Sequence, residues 1–525
     1  MEISTYVEHS LSSELSGNLI DICPVGALTS KPYAFKGRPW ELTKTESIDV
    51  LDAVGSNIRI DTRGLEIMRI LPKLNEEINE EWISDKSRFS YDGLKLQRLD
   101  RPYIRTDGKL LKSSWEAAFG ILKDRMQNLT SQEIGAIVGN LTDAESIFAL
   151  KEMMDSFKSP HTDCAQEGAH FLMDSRSLYL FNTGIEGIEE ADLCLLVGVD
   201  PKLEAPLINA RLRKRYLQGG FEVGLIGEAV SLTYPYTHIS QGPHGLEELL
   251  NGKCSWVNSF KKAKNPMIIL GASALCHPDG KEIQEYALRL AEQYGCLRED
   301  WLGYNVLHWA ASRVGALDLG FVPGDQGWNA QEMIKEAEGG RLKVLYLLGV
   351  DEMDLTSLKD ANCFIIYQGH HGDRGAAVAD VILPGSAYTE KNATYVNTEG
   401  RIQETTKALF PPGEAWEDWK IIRTLSSKIE RPLSYDTLEA LREKMYLNSP
   451  LLRSDHGNSK QKIKELLDLS IFKTKKSRKL SKDPFVPFIQ NYYMTDSITR
   501  SSLLMAEATE LFVLKGIASK KEDSQ

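Results

Sequence analysis

The sequence predicts an α/β protein built on parallel sheets, with a small strand-rich unit and a short leading segment ahead of it. Three observations carry that expectation. From residue 134 onward, continuous apolar runs of strand length recur, each bounded by Gly or Asp. Strands buried on both faces read this way. Helix-length segments lie between these runs, and such alternation implies doubly wound sheets. Residues 46–100 instead carry short runs separated by turn residues, the pattern of antiparallel strands. The chain has 525 residues. That is too long for one core, so about two to four domains are expected. The divisions fall at residues 1–45, 46–100, 101–455 and 456–525.

Taken in order, residues 10–15 read as a short helix before a Gly17-Asn18 turn. In the small unit, residues 47–54 and 57–62 read as strands joined through Gly55-Ser56. Residues 66–71 read as a third strand, ending at Pro72. The buried strands of the α/β part are expected at 134–138, 193–199, 222–226, 267–270, 344–348, 364–367 and 381–383. Ser113-Ser114-Trp115 offers a hydroxyl cap before an apolar helix face. Residues 204–217 read as a helix with Glu204 at its start, Arg and Lys clustered at 211–215, and Gly219-Gly220 as a stop. That charge order complements a helix dipole. Residues 397–401 read as a turn in which Gly400 supplies backbone freedom and Glu399 pairs with Arg401. Residues 413–419 open a further helix with an acidic first turn. Residues 455–483, polar and lysine-rich, read as a connection. Within it, 473–482 is a basic stretch that reads as a solvated loop or a contact for an acidic partner.

Composition narrows the function. The formal net charge of -12 argues against non-specific nucleic-acid binding, which needs clustered cations facing phosphates. Hydrophobic content of 42% and charged content of 26% are those of a globular protein. No apolar run approaches the roughly 20 residues that span a bilayer, so no direct membrane span is expected. The cysteines at 23, 164, 194, 254, 276, 296 and 363 show no CxxC spacing. Scattered thiols fit a reducing compartment and give no intrachain metal knuckle. The first eight residues are acidic and carry neither a secretory core nor an Arg-rich transit helix.

Cys23 lies in the run from Ser16-Gly17-Asn18 to Cys23-Pro24-Val25-Gly26-Ala27-Leu28. Two readings are open from these residues: a buried structural cysteine beside a turn proline, or the last cysteine of an iron–sulfur motif. Cys-Pro after C-x2-C-x2-C is how such a motif ends. Residues 1–22 contain no cysteine, so partners of a cluster-binding Cys23 would lie on another polypeptide.

The segments beyond Cys23 resemble a known family. The blocks are Arg38-Pro39-Trp40-Glu41, residues 44–57, Arg69-Ile70-Leu71-Pro72, residues 78–86, Arg88-Phe89-Ser90-Tyr91-Asp92-Gly93-Leu94, residues 381–391, residues 395–401 and residues 492–500. In this order they resemble the large iron–sulfur subunit, of about 75 kDa, of respiratory complex I, NADH:ubiquinone oxidoreductase. The resemblance implies a role in electron transfer from NADH to ubiquinone in the peripheral arm, on the matrix side of the mitochondrial inner membrane. It implies a [4Fe–4S] cluster completed by Cys23 and shared with a separate N-terminal iron–sulfur chain, other peripheral-arm subunits as neighbours, and no nucleic acid. The chain then looks like the C-terminal product of a split gene, with no independent active site.

The small unit resembles the cluster-bearing domain that opens molybdopterin oxidoreductases, and residues 101–455 resemble their α/β domains. The implied fold is therefore a degenerate molybdopterin oxidoreductase-like one, preceded by a ferredoxin-like tail. No cysteine lies between residues 24 and 163, and Ser84 stands near a ligand position. The unit is expected to keep its fold without its metal, and no molybdopterin is expected. The alternative is a free-standing molybdopterin oxidoreductase. In that case Cys164 is the candidate molybdenum thiolate, and the loops after Gly198, Gly227, Gly271 and Gly349 are where its pterin nucleotides would sit. A pure assembly scaffold is a third reading. His370-His371 and Cys276-His277 are weaker candidates, read as loop residues or as metal ligands.

Overall fold

The computed structural model describes residues 11–453 and 478–514. Of the expected connection, residues 455–477, with the start of its basic stretch at 473–477, lie outside the described residues. A small antiparallel sheet comes first, with β1 (Thr43–Ile48), β2 (Asn57–Arg63) and β3 (Glu66–Pro72) in that order. β4 (Tyr103–Thr106) and β5 (Lys109–Lys112) open a larger sheet, continued by β6 (Ile134–Val138) and the short β7 (Thr162–Asp163). The chain then leaves to build a separate five-stranded parallel sheet: β8 (Leu193–Val197), β9 (Glu222–Ile226), β10 (Thr237–Ser240), β11 (Pro266–Leu270) and β12 (Tyr304–Val306). It returns with β13 (Val344–Leu348), β14 (Phe364–Gly369) and β15 (Val381–Pro384). The larger sheet thus reads β5-β4-β15-β14-β13-β6-β7, antiparallel only where β4 meets β15 and β5. β16 (Ala393–Val396) and β17 (Ile402–Thr405) form a hairpin beside β1.

Strand periodicity assigns the two faces of each sheet. On β13, Val344, Tyr346 and Leu348 pack with helices Trp115–Met126, Ala144–Phe157 and Asp418–Lys428. Leu345 and Leu347 face the other way, onto helix Ala330–Glu338. In the five-stranded sheet, Leu193, Leu195 and Val197 join helix Gly280–Gln293, while Cys194 and Leu196 join helix Pro206–Leu217. The small sheet packs Ile58, Ile60 and Ile70 against Tyr388 and Tyr395, so it rests on the hairpin region of the α/β part.

Five expectations need correction. The strand expected at 47–54 ends at Ile48. Residues 49–56 turn instead, because Asp52 Oδ1 accepts from Val54 N at 2.9 Å and Asp49 N donates to Ser56 O. Gly55 supplies φ of 70° there. The apolar residues of this loop are buried as a packed turn. The helix expected over 204–217 is two, Pro201–Glu204 and Pro206–Leu217. Pro206 has no N–H to continue the first and is suited to open the second. Glu204 therefore closes one helix, and its carboxylate is free for other work. Residues 11–17 form no helix where one was expected at 10–15, 14–17 being a turn, and Asn18 begins a helix, Asn18–Ile22, where a turn was expected. The helix near residue 413 starts later, at Asp418.

Candidate metal centre

Cys23 ends helix Asn18–Ile22 and turns the chain outward with an extended backbone. Its side chain is partly exposed. Gly26, at φ 63°, bends the following residues back toward it. The backbone N–H groups of Leu28 and Val25, with smaller contributions from Ala27 and Gly26, hold the thiol below its ordinary pKa. A thiol so placed gives up its proton readily, and the thiolate is the form that binds metal.

The segment carrying Cys23 is latched to the small unit by buried polar groups. Asn18 donates to Leu15 O at 3.0 Å and Ile83 O at 2.8 Å. Its Oδ1 accepts from Ile83 N at 3.2 Å and from Arg88 Nη2 at 2.9 Å. Arg88 also reaches Asp21 at 2.5 Å, and Asp85 accepts from Gly17 N at 2.7 Å and Ser16 Oγ at 2.5 Å. Gly17 has no room for a side chain: a Cβ there would stand 2.7–2.9 Å from Arg88, Phe89 and Asp85. Both Arg88 and Asp85 come from helix Asp85–Phe89, capped by Ser84, whose Oγ accepts from Ser87 N. Beside Cys23 in the chain, Ile22 and Val25 are apolar and 54% and 76% exposed. Neither Asn18 nor Arg88 stands out in the sequence as a site residue, since a Gly-Asn pair reads first as a turn.

The interior of the small unit is polar where a cluster would need thiolates. Ser87 Oγ donates to Asp49 Oδ2 at 2.8 Å, and Ser84 and Ser87 share a hydrogen bond. Asp49 Oδ1 and Asp52 Oδ2 are buried without a hydrogen-bond partner among the described residues. Burial, then the charge of Asp52, pushes the Asp49 carboxyl up to about 7. Burial likewise raises Asp52, against the pull of Lys86. Among the described residues no three His, Cys, Asp or Glu side chains converge on a metal-sized site.

The remaining candidates are dispersed. Cys164 is 1% exposed inside the core of the larger sheet, and burial pushes its thiol up to about 12. Beside it Arg313, fully buried, grips Glu167 with two hydrogen bonds of 2.6 and 2.9 Å. His370 and His371 touch through their Nδ1 atoms at 2.5 Å, and His371 Nε2 meets Gly93 O. Burial lowers both, so they are neutral structural groups. His277 packs edge-on against Phe485 at 5.5 Å, beside Cys276. Glu399 and Arg401 pair at 2.7 Å across Gly400, whose φ is 83°. The loops after Gly198 and Gly227 meet at one cavity beyond the five-stranded sheet. Gly349 lines a separate pocket of about 20 Å³, room for a single water.

Comparison with known proteins places this geometry. Over 519 residues the chain is 45% identical to the 78 kDa subunit of mitochondrial NADH-ubiquinone oxidoreductase of Neurospora crassa, covering 97% of this chain and 68% of that protein. It is 46% identical to the mitochondrial NADH dehydrogenase [ubiquinone] iron-sulfur protein 1 of Solanum tuberosum, over 97% of this chain and 67% of that protein. The 75 kDa subunit of Reclinomonas americana matches at 45% identity over 98% of this chain and 75% of its own length. The chain belongs to the family of this 75/78 kDa subunit of NADH-ubiquinone oxidoreductase. Family models agree in order along the chain. A ferredoxin-like domain of NADH-quinone oxidoreductase subunit 3 matches residues 1–29, and an NDSU1/NuoG-like 4Fe-4S domain matches 42–92. Molybdopterin oxidoreductase matches 98–428, and a C-terminal domain of the NADH-ubiquinone oxidoreductase subunit matches 466–508. Among solved structures, acetylene hydratase from Pelobacter acetylenicus shares the fold at TM-score 0.50 and 12% identity, over 80% of this chain and 73% of that one. The fold expected from sequence, a molybdopterin oxidoreductase-like α/β protein with a strand-rich N-terminal region, is the fold that this member of the 75/78 kDa family adopts.

The groups this family implies fit unevenly. One ligand of a [4Fe–4S] cluster fits at Cys23, whose sulfur already faces backbone donors. The 4Fe-4S domain model covers residues 42–92, yet two aspartates and two serines, with no cysteine, stand in that unit's interior. A cluster does not fit there.

Proposed function

We propose that this chain serves respiratory complex I in electron transfer from NADH to ubiquinone, with Cys23 as one thiolate ligand of a [4Fe–4S] cluster. The observation that supports this most is the posture of Cys23. It stands at a helix end on the surface, its sulfur faces the amides of the 25–28 turn, and its pKa is lowered. Cys164, Cys194, Cys296 and Cys363, by contrast, are buried. A cubane needs four ligands, and no cysteine lies at 1–22 or 24–163. The other ligands therefore lie outside this sequence, on a separate N-terminal iron–sulfur chain in our reading. The exposed Ile22 and Val25 beside Cys23 give that neighbour an apolar contact. When bound, the cluster supplies one-electron redox chemistry. This chain's residues would supply a thiolate, the backbone N–H groups of the 25–28 turn beside it, and a seat latched to the small unit, and the hydrogen bonding around a cluster tunes its potential.

Among the described residues no helix is long and apolar enough to cross a membrane. With mitochondrial relatives, this supports placement in the peripheral arm on the matrix side of the inner membrane, against other subunits of that arm. The molybdoenzyme alternative has less support, because its candidate ligand Cys164 is 1% exposed and packed in the core of the larger sheet. Iron analysis tests the reading. The isolated chain should hold no stoichiometric iron, since one thiolate cannot retain a cubane. A full complement of iron on the isolated chain would refute it.

A further inference from the structure

The five-stranded sheet carries a ligand crevice of a general kind. From β8 the chain steps outward to β9 and β10, then returns to the opposite side of β8 to lay down β11 and β12, giving the order β10-β9-β8-β11-β12. The direction of winding reverses between β8 and β11. In open α/β sheets, nucleotide-like ligands bind beyond the carboxyl ends of the two strands at such a reversal. Their phosphates sit on backbone N–H groups at the start of the following helices. A cavity of 170 Å³ lies at this place, walled by Gly198, Asp200, Glu204, Gly227 and Ser273. Ligand pockets usually offer about 300–1,000 Å³.

The chain has filled the rest itself. One oxygen of Glu204 accepts from Ala272 N at 2.9 Å, the first residue of the short helix that follows β11 and Gly271. The other accepts from Asp200 N at 2.9 Å, just after β8. The donors that would face a phosphate are thus held by a carboxyl group that is 4% exposed. Residues 485–489 form the outer wall. Phe485 enters beside His277 and Phe488 packs against Trp309, tilted by 52° with ring centres 4.6 Å apart, both joining the core of this sheet. This strap is fastened at three places. Leu480 N donates to Glu247, Ser481 N to Asp279 at 2.8 Å, and Phe485 N to Gln241 O at 2.9 Å. Gly242 allows the approach, since a Cβ there would stand 2.5 Å from Asp483 O. Beyond the strap the chain runs into Tyr492 and Tyr493, which pack with Phe89 under the Cys23 platform.

We infer that Glu204 and the strap at 478–489 are an internal substitute for a nucleotide ligand. Glu204 takes the phosphate position and Phe485 and Phe488 take the space beside it. The molybdopterin oxidoreductase-like unit is closed by its own chain, and a molybdopterin nucleotide does not fit its crevice. The strap instead ties the carboxyl edge of the sheet to the block that supports Cys23.

Hydrogen exchange on the assembled complex tests this, read at residues 198–204, 227–230 and 272–275. In the wild-type complex, millimolar AMP or GMP should give these loops no protection. Protection by either nucleotide would overturn the inference, because the crevice would then be open to the ligand. In Phe485→Ala/Phe488→Ala the same loops should exchange about tenfold faster or more, while β13 and β14 stay unchanged. Unchanged exchange at the loops would overturn it equally, because the strap would not be what closes them. If the double variant fails to assemble, Phe488→Leu is read at the same loops by the same two outcomes.

Discussion

Replacing Asn18 with alanine removes the buried side chain that holds the Cys23 segment to the small unit. Three groups lose their partner: the N–H of Ile83, the C=O of Ile83 and one N–H of Arg88. Each unpaired buried polar group costs about 1–3 kcal/mol. Arg88 keeps its contact with Asp21, and Gly17 keeps its bond to Asp85. The lower end therefore applies, and the loss is about 3 kcal/mol over the three groups. A change of about 3 kcal/mol multiplies the detached population of residues 16–23 about 150-fold. Hydrogen exchange of the assembled complex reads this directly, as faster exchange at 16–23 with little change in β2 or β13. The paramagnetic signal of the cluster assigned to Cys23 should weaken or broaden in parallel. Exchange within about threefold of wild type at 16–23 would refute the reasoning, because the latch would then lie elsewhere.

Asp49→Asn should stabilise the chain at pH 8 but not at pH 4. The native carboxyl titrates near 7 against an ordinary 3.8. The folded form thus binds the proton more tightly, and wild-type stability falls as pH rises from about 4 to about 7. The penalty above pH 7 is on the order of 4 kcal/mol, which the neutral amide escapes. Thermal melts at both pH values check this, and an equal shift at both would count against it. Cys164→Ala should cost about 1 kcal/mol of packing and leave NADH-driven quinone reduction of the assembled complex intact. Lost turnover with normal assembly would give Cys164 a chemical role.

Much of the fold is legible in the sequence because its strands are continuous apolar runs buried on both faces. Residues 134–138, 222–226 and 344–348 match β6, β9 and β13 end for end. β4, β5, β10 and β17 escape that pattern, being short, polar and partly exposed. The apolar stretch 50–54 reads as strand because burial and strand pairing give one pattern; the side chain of Asp52, bonded to Val54 N, decides for a turn. Cys23 is legible as a ligand motif, and the blocks after it point to the family. Its latch is not. Asn18 lies 65 and 70 residues from Ile83 and Arg88, and nothing local marks an asparagine as the buried centre of four hydrogen bonds. Glu204 reads as a dipole partner of its own helix, whereas Pro206 breaks that helix and the carboxyl group bonds the amides of Asp200 and Ala272.

The central claim is that Cys23 supplies a cluster thiolate, and Cys23→Ser in the assembled complex tests it most directly. A serine oxygen is a poor match for cluster iron, which prefers soft sulfur ligands. The hydrophobic cores that carry residues 101–453 do not include Cys23. The fold should survive while the local redox centre changes. The low-temperature paramagnetic spectrum of the reduced enzyme should lose or shift one [4Fe–4S] signal, with a fall in NADH-driven quinone reduction. Cys254→Ser should leave both unchanged. Every reduced [4Fe–4S] signal and the turnover rate intact in Cys23→Ser would contradict the account.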